Sequence, residues 1–170
     1  MWKYTGKRRP DFAIAPGPDQ ESVWDYPRPP ILVPSDELVE VSNGAVAIAK
    51  TQNALRVLET ASPPTYYLPE TDIDWTQLRE IAHHSFCEWK GQASYFALID
   101  DPKGYPVAWL YADPSKTFAA IHRHASFYPS RIQCAVNGER VRPQPGEFYG
   151  GWITDRLTGP FKGEPGTGHW

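Results

Sequence analysis

Hydrophobic and polar positions alternate along much of the chain, a pattern typical of β-strands that bury one side. Residues 38–41 and 45–51 alternate in this way on either side of Asn43-Gly44. This dipeptide favours the positive φ angles of a tight turn. We therefore predict a β-hairpin across Asn43-Gly44.

Runs of β-branched and aromatic residues continue beyond the hairpin. Glycine and proline turns separate four of them, and they predict strands over residues 84–90, 92–100, 105–111 and 131–136. Only one segment has helical spacing: Ile73, Leu78 and Ile81 fit two or three helical turns between residues 72 and 82. The pattern thus predicts an antiparallel meander with at most one short helix.

The two ends of the chain are rich in proline and glycine and still contain many apolar residues. Such composition favours extended structure over helix, and the apolar side chains need a surface to pack on. We predict an extended N-terminal arm over residues 1–36, a β domain over 37–137, and a C-terminal tail over 138–170 that packs back onto it.

Composition strengthens the β prediction. The 170 residues include 7 Trp, 9 Tyr and 18 Pro but one Met, which favours strands and rigid turns over helical packing. This length suits a single domain with one core. The predicted fold class is mainly β, a single domain of coiled antiparallel sheets.

Charge and cysteine content narrow the function classes. The formal net charge of −3 offers no broad basic surface for nucleic acid. Two cysteines are too few for a four-cysteine zinc site, and His122 and His124, although placed on one face of a predicted strand, lack further ligands at diagnostic spacing. No apolar run is long enough to span a membrane. We expect a cytoplasmic protein without metal, cofactor, nucleic acid or membrane partner.

Candidate chemistry begins in the segment HHSFCEWKG. Strand alternation places Cys87 and Trp89 on one face and Lys90 on the other. A thiol near a cation is a candidate nucleophile, so Cys87 with Lys90 or a histidine can support thiol chemistry. The alternative is that Cys87 is a small buried hydrophobic residue and Lys90 pairs with Glu88 in solvent.

Glu59 is a second candidate because it continues the apolar row of Leu55 and Val57. A carboxylate at a buried end of that row needs a partner such as Arg56 or Lys90, and can serve as a general base. If the strand ends at Glu59, the side chain faces water instead.

The aromatic residues indicate a pocket, since tyrosine and tryptophan combine apolar rings with polar atoms. Our first hypothesis is a small-molecule-binding domain with Glu59, Arg56 and Lys90 orienting a polar ligand, and with walls formed by Trp89, Tyr95, Trp109 and Trp152. The ligand binds either a single chain or a homodimer.

Two alternatives remain open. One is an enzyme that uses Cys87 or Glu59 as its reactive group, assisted by Lys90. The other is a protein-interaction module that docks through the proline-rich arm, whose PRPP segment can form an extended polyproline helix.

Several long segments point to a known family: ESVWDYPRPP, ALRVLET with PPTYYLP, CEWKGQASYF, AWLYADP, FYP and GEFYGGWITDRLTGPFKGEPGTGHW. Over nearly its whole length the chain resembles the uncharacterised domain of unknown function (DUF) 427 family. The resemblance implies a mainly β fold of coiled sheets of the Mss4-like or β-tent type, an architecture shared with methionine sulfoxide reductases of the B type.

The resemblance does not imply any particular reaction. Many proteins of the wider Mss4-like group hold zinc with four cysteines, which this chain cannot supply. The family also carries a nucleotidyltransferase-like label. Asp72 and Asp74 have the spacing of a metal-binding acidic pair, but the glycine-serine loop that would hold phosphate is missing before them, and a helix cap is the simpler role.

Overall fold

Antiparallel β-strands dominate the computed structural model, which describes residues 2–170. In chain order the strands are β1 (Glu21–Ser22), β2 (Ile31–Ser35), β3 (Val39–Asn43), β4 (Val46–Thr51), β5 (Ala54–Leu58), β6 (Thr65–Pro69), β7 (Leu78–Cys87), β8 (Gly91–Leu98), β9 (Ala108–Leu110), β10 (His124–Phe127), β11 (Gln133–Val136), β12 (Glu139–Arg140), β13 (Arg142–Pro143), β14 (Trp152–Ile153) and β15 (Leu157–Thr158). The helices are short 3₁₀ segments at Val23–Asp25, Glu70–Asp72, Trp75–Gln77 and Lys116–Ile121.

The strands form two main sheets and two small pairs. The larger sheet has seven antiparallel strands in the order β2-β5-β6-β10-β9-β8-β7, and the smaller has four in the order β12-β11-β3-β4. Strand β1 pairs with β15 in parallel, and β13 pairs with β14. The predicted mainly β, antiparallel fold is confirmed.

The predicted hairpin is also confirmed, since β3 and β4 pair across a tight turn at Gly44-Ala45 in which Gly44 has a φ of +59°, while Asn43 ends β3 and pairs with Val46. The predicted helix over residues 72–82 is wrong. Residues from Leu78 onward form β7, which hydrogen bonds to β8, and only 3₁₀ turns precede it. The long strand pairing outweighs a weak local helical spacing because it supplies backbone hydrogen bonds along residues 78–87 on the side that faces β8.

The seven-stranded sheet buries both of its faces. Its inner face, which carries Tyr66, Leu68 and Phe127, packs against the four-stranded sheet. The opposite face, here called the aromatic face, carries Tyr67 and Trp109 and is covered by the 3₁₀ segment Lys116–Ile121. Consecutive residues such as Tyr66 and Tyr67 therefore enter different cores, as strand geometry requires.

The arm and the tail pack together on the domain. Trp24 is fully buried, and its indole Nε1 donates to the carbonyl oxygen of Pro160 at 3.0 Å. The rings of Tyr4, Phe12 and Trp170 surround Trp24 at centroid distances of 5.2, 5.1 and 5.2 Å. Both ends thus pack on Leu58 of the β domain, and residues 31–35 of the predicted arm form β2 of the seven-stranded sheet instead.

Candidate functional site

The tip of the β7–β8 hairpin packs against the aromatic face. The pairing of these strands shifts register between Ile81 and His84. The hairpin turn is held by Ser115, whose Oγ donates to the carbonyl oxygen of Trp89 at 2.6 Å and whose backbone N–H donates to that of Lys90 at 3.0 Å. The turn thereby positions Cys87, Trp89 and Lys90 beside the aromatic cluster.

Lys90 occupies the centre of this arrangement. Its Nζ lies 5.9 Å from the ring centre of Tyr111 and 5.7 Å from that of Phe118. Burial alone would lower the pKa of the Lys90 ammonium, but interactions with Tyr67, Cys87 and Glu59 raise it. Lys90 therefore responds to the charges of Cys87 and Glu59, the other two predicted catalytic residues.

Tyrosine side chains also contribute to this face. Burial raises the pKa of Tyr111, and Tyr67 and Cys87 raise it further. The buried hydroxyl of Tyr67 accepts a hydrogen bond from Trp109 Nε1 at 3.1 Å. These tyrosines stay protonated and offer neutral hydroxyl groups beside the thiol and the ammonium.

The same face contains further polar contacts. The Tyr95 and Ser85 hydroxyls are 2.6 Å apart, and the Trp109 ring lies 4.4 Å from that of Tyr128. A Cβ on Gly150 would lie 2.3 Å from the Trp109 ring, so a glycine is needed for this close approach. Ser126, paired with Trp109 across β9 and β10, has a buried Oγ without a hydrogen-bond partner.

Glu59 follows the last residue of β5 and pairs with Arg28 beside the core that the arm and the tail form. Arg28 Nε donates to Glu59 Oε1 at 3.2 Å, and Arg28 Nη2 donates to the carbonyl oxygen of Thr60 at 2.9 Å. Glu59 also acts electrostatically on Lys90 and Lys162. We call Arg28, Glu59, Lys90 and Lys162 the Glu59 site.

The arm and the tail supply two of these cations. The tail reaches Glu59 because the Lys162 backbone N–H donates to the carbonyl oxygen of Ala61 at 2.8 Å. Burial lowers the pKa of Lys162, and the charge of Arg28 lowers it further while that of Glu59 opposes the change. The Arg28 guanidinium stacks on the Trp2 ring, with Cζ 4.4 Å from the ring centre.

Arg56 and Trp152 lie away from the other predicted site residues. Arg56 is adjacent to Val57 on β5 and therefore points to the opposite side of the sheet, where its Cζ is 5.8 Å from the Tyr66 ring centre. Trp152 is fully buried in the inner core and packs on Tyr66 at a centroid distance of 4.9 Å. The predicted residues thus divide between two faces.

Arg56 instead lines a separate cleft of about 190 Å³. It is paired with Glu21, and its Nη2 lies 3.2 Å from the Tyr26 hydroxyl, whereas its buried Nε has no partner. Burial alone would lower the pKa of Arg56, but Tyr66, Tyr26 and Glu21 raise it. The other lining residues are Pro34, Ser35, Asp36, Glu37, Tyr66, Thr154, Arg156 and Leu157.

The candidate metal ligands do not assemble. His122 ends the 3₁₀ segment Lys116–Ile121, so the prediction that it shares a strand with His124 is wrong. Asp74 caps the turn Trp75–Gln77 by accepting from the Thr76 N–H at 3.1 Å. Within residues 2–170 no three His, Cys, Asp or Glu side chains are grouped to hold a metal ion. The same residues contain no helix long and apolar enough to cross a membrane.

Comparison with known families agrees with the resemblance. Residues 31–138 match the family described as Domain of unknown function (DUF427). The chain belongs to the DUF427 family. No curated protein matches it. The region shared with DUF427 contains Glu59, Cys87 and Lys90, whereas Arg28 and Lys162 lie outside it.

Sequence reasoning about this DUF427 protein missed Arg28 and Lys162. Arg28 stands in the PRPP segment, which suggested a docking motif, and Lys162 stands in a glycine-rich tail. The only available signal was the apolar content of the arm and tail, which predicts packing but not which cation reaches Glu59.

Proposed function

We propose that this protein binds a small anionic molecule at the Glu59 site. The observation that supports the proposal is a charge imbalance: Arg28 pairs with Glu59 at 3.2 Å, and Lys90 and Lys162 act electrostatically on the same carboxylate from beyond ion-pair distance. Positive charges that are partly removed from water need compensation, and an oxyanion supplies both charge and hydrogen-bond acceptors.

Arg28 contributes the strongest part of this argument. Its side chain is only 1% exposed, and its Nη1 is buried without a partner while Nε and Nη2 are both used. A guanidinium left partly unsatisfied is costly, because every buried donor gives up its bonds to water. A carboxylate or phosphate oxygen is the acceptor that best matches it.

Lys162 adds a second reason. Its lowered pKa means that the folded chain disfavours the ammonium at this position. Its Nζ donates to the carbonyl oxygen of Trp170 at 3.0 Å, and a bound anion would supply the charge that this neutral acceptor lacks. Trp2 stacks on the Arg28 guanidinium and provides apolar surface for the rest of a ligand.

The test is a titration of inorganic phosphate and of a small dicarboxylate at constant ionic strength, with chloride as the matched salt. A ligand at a hundred times its Kd stabilises the native state by about 2.7 kcal/mol, which for a domain of this size raises Tm by roughly 5–10 °C. Lys162→Gln should weaken binding about tenfold, since it removes a charged partner.

Lys50→Gln is the matched control, because Lys50 is a well-exposed lysine on the four-stranded sheet. It should bind the anion as the wild type does. An equal Tm shift in Lys162→Gln and the wild type would contradict the proposal, as would the absence of any shift with either anion.

A further inference from the structure

The cleft that Arg56 lines, here called the Arg56 cleft, lies apart from the Glu59 site. It is bounded by the β2–β5–β6 edge of the seven-stranded sheet and by the small β1–β15 pair. Arg56 and Tyr66 pair across β5 and β6, while Glu21 and Leu157 pair across β1 and β15. No residue of the Glu59 site lines this cleft, so it can bind a different molecule.

The cleft contains two well-buried side chains of opposite charge. The side chains of Arg56 and Glu37 are each 14% exposed, whereas those of Glu21 and Arg156 are 42% and 64% exposed. Charges that are largely removed from water need fixed partners. The hydrogen bonds that Arg56 and Glu37 make, and those that they leave unmade, therefore indicate what the cleft can hold.

Arg56 uses only one of its two terminal nitrogens. Its Nη2 donates to Glu21 and lies 3.2 Å from the Tyr26 hydroxyl. Its Nε is buried without a partner, whereas Nη1 keeps some exposed surface and makes no hydrogen bond within residues 2–170. A guanidinium is best matched by a carboxylate oxygen. Arg56 therefore offers a positioned donor to such an oxygen in the cleft.

Glu37 has the complementary unused acceptor. Its Oε1 accepts from the Tyr66 hydroxyl and from Ser35 Oγ, both at 2.9 Å. Its Oε2 lies 3.6 Å from Arg156 Nη1, which is too far for a hydrogen bond, and accepts no hydrogen bond within residues 2–170. The two hydroxyls thus hold the carboxylate in place while one oxygen stays free for an ammonium group.

The unused donor and the unused acceptor belong to one site, because Tyr66 contacts both residues. Its hydroxyl bonds to Glu37, and its ring centre lies 5.8 Å from Arg56 Cζ. A ligand with a single charge would satisfy only one of the two groups. The cleft of about 190 Å³ has the volume of about six water molecules, so the matching charges must belong to a small zwitterion.

A wider groove of about 550 Å³ continues from the cleft. The two share Pro34, Ser35 and Asp36, and the groove is further lined by Gln52, Asn53, Ala54 and Leu55. Its amide and hydroxyl groups suit a polar side chain that extends from the zwitterion.

We propose that the Arg56 cleft binds a free amino acid with a polar side chain, independently of anion binding at the Glu59 site. The carboxylate of the amino acid meets Arg56 Nη1, and its ammonium meets Glu37 Oε2. Its side chain extends into the neighbouring groove.

The experiment titrates the full chain with L-glutamine at pH 7 and constant ionic strength, and measures the heat of binding. N-acetyl-L-glutamine lacks the ammonium and L-glutamine amide lacks the carboxylate, so each should bind about tenfold more weakly than L-glutamine. No saturable binding of L-glutamine up to about 10 mM would overturn the proposal, as would equal affinity for all three compounds. These comparisons need no variant.

Glu37→Gln keeps an oxygen for the Tyr66 and Ser35 hydroxyls but replaces the free oxygen with an NH₂ group. The variant should bind L-glutamine about tenfold more weakly than the wild type, and should bind N-acetyl-L-glutamine equally well. Glu40→Gln, which changes an exposed carboxylate on β3, is the matched control and should bind L-glutamine as the wild type does. Wild-type affinity for L-glutamine in folded Glu37→Gln would overturn the proposal.

Discussion

The two faces of the seven-stranded sheet follow the same alternation of side chains but are covered differently. On the inner face, apolar residues meet a second sheet, and the indole of Trp152 donates to the backbone oxygen of Phe127 at 2.9 Å. On the aromatic face, a hairpin tip and a 3₁₀ segment form the cover, and hydroxyls, a thiol and an ammonium lie among the rings.

The difference shows where a small β domain can keep reactive groups. A sheet-on-sheet interface excludes polar side chains because no donor or acceptor remains free there. A cover made of a turn and a short helical segment leaves room at its edge, so Cys87, Lys90 and Glu59 can be partly buried and still reach solvent. Five predictions test this contrast, from the largest expected effect to the smallest.

Trp152→Ala should destabilise the packing between the inner face and the four-stranded sheet. Removing a fully buried tryptophan is expected to lower the free energy of unfolding by about 3–5 kcal/mol, measured by urea denaturation. Trp89→Ala on the partly exposed hairpin tip should cost only about 1 kcal/mol. If the two losses were equal, the faces would not differ in packing as described.

Glu59→Gln tests whether the Glu59 carboxylate competes with a bound anion at the Glu59 site. The change removes the anionic partner of Arg28 and should lower stability by about 1–3 kcal/mol without added anion. Because Glu59 is the internal competitor of a bound anion, phosphate should then raise Tm more than in the wild type. A smaller rise in the variant would show that the anion does not bind at this carboxylate.

Tyr111→Phe should change the response to alkaline pH. The folded pKa of Tyr111 is raised, so above about pH 10 the unfolded chain loses this proton while the native chain keeps it, and stability falls as pH increases. The loss is up to about 1.4 kcal/mol per pH unit for one group. The variant should lose stability less steeply above pH 10, and an unchanged slope would argue against a buried neutral hydroxyl.

Tyr95→Phe removes the 2.6 Å contact with Ser85 on the aromatic face. The expected loss is about 0.5–1.5 kcal/mol in thermal or urea unfolding, the usual contribution of one hydrogen bond. Ser85→Ala should cost a similar amount, and the double variant should not cost the sum. Fully additive losses would mean that the two hydroxyls do not interact.

Ser126→Ala should have the smallest effect and the opposite sign. Its buried hydroxyl has no partner, so replacing it should leave stability unchanged or raise it by up to about 1 kcal/mol. Ser22 is equally buried, but its Oγ accepts from the Trp24 N–H at 3.3 Å, so Ser22→Ala should lower stability by about 1 kcal/mol. Equal losses in both variants would reveal an unrecognised partner of Ser126.

The local pattern of the sequence determined most of the strands, the turn after Asn43 and the faces of β5 and β6, since a period of two is enough to assign faces. It misassigned residues 78–82, predicted as part of a helix, and residues 88–90, predicted as strand but lying in the β7–β8 turn. The row of Leu55 and Val57 towards Glu59 follows from that period. The same period places Arg56 on the other side of the sheet, although the predicted pocket included Arg56.

Only the tertiary structure decided what covers each face. Glu59 and Lys90 are 31 positions apart, and Arg28 and Lys162 come from opposite ends of the chain. Their meeting depends on the packing of the β7–β8 hairpin tip and on the mutual packing of arm and tail. The strand that replaced the predicted helix is also a tertiary result, because its partner β8 supplies the hydrogen bonds that local spacing cannot foresee.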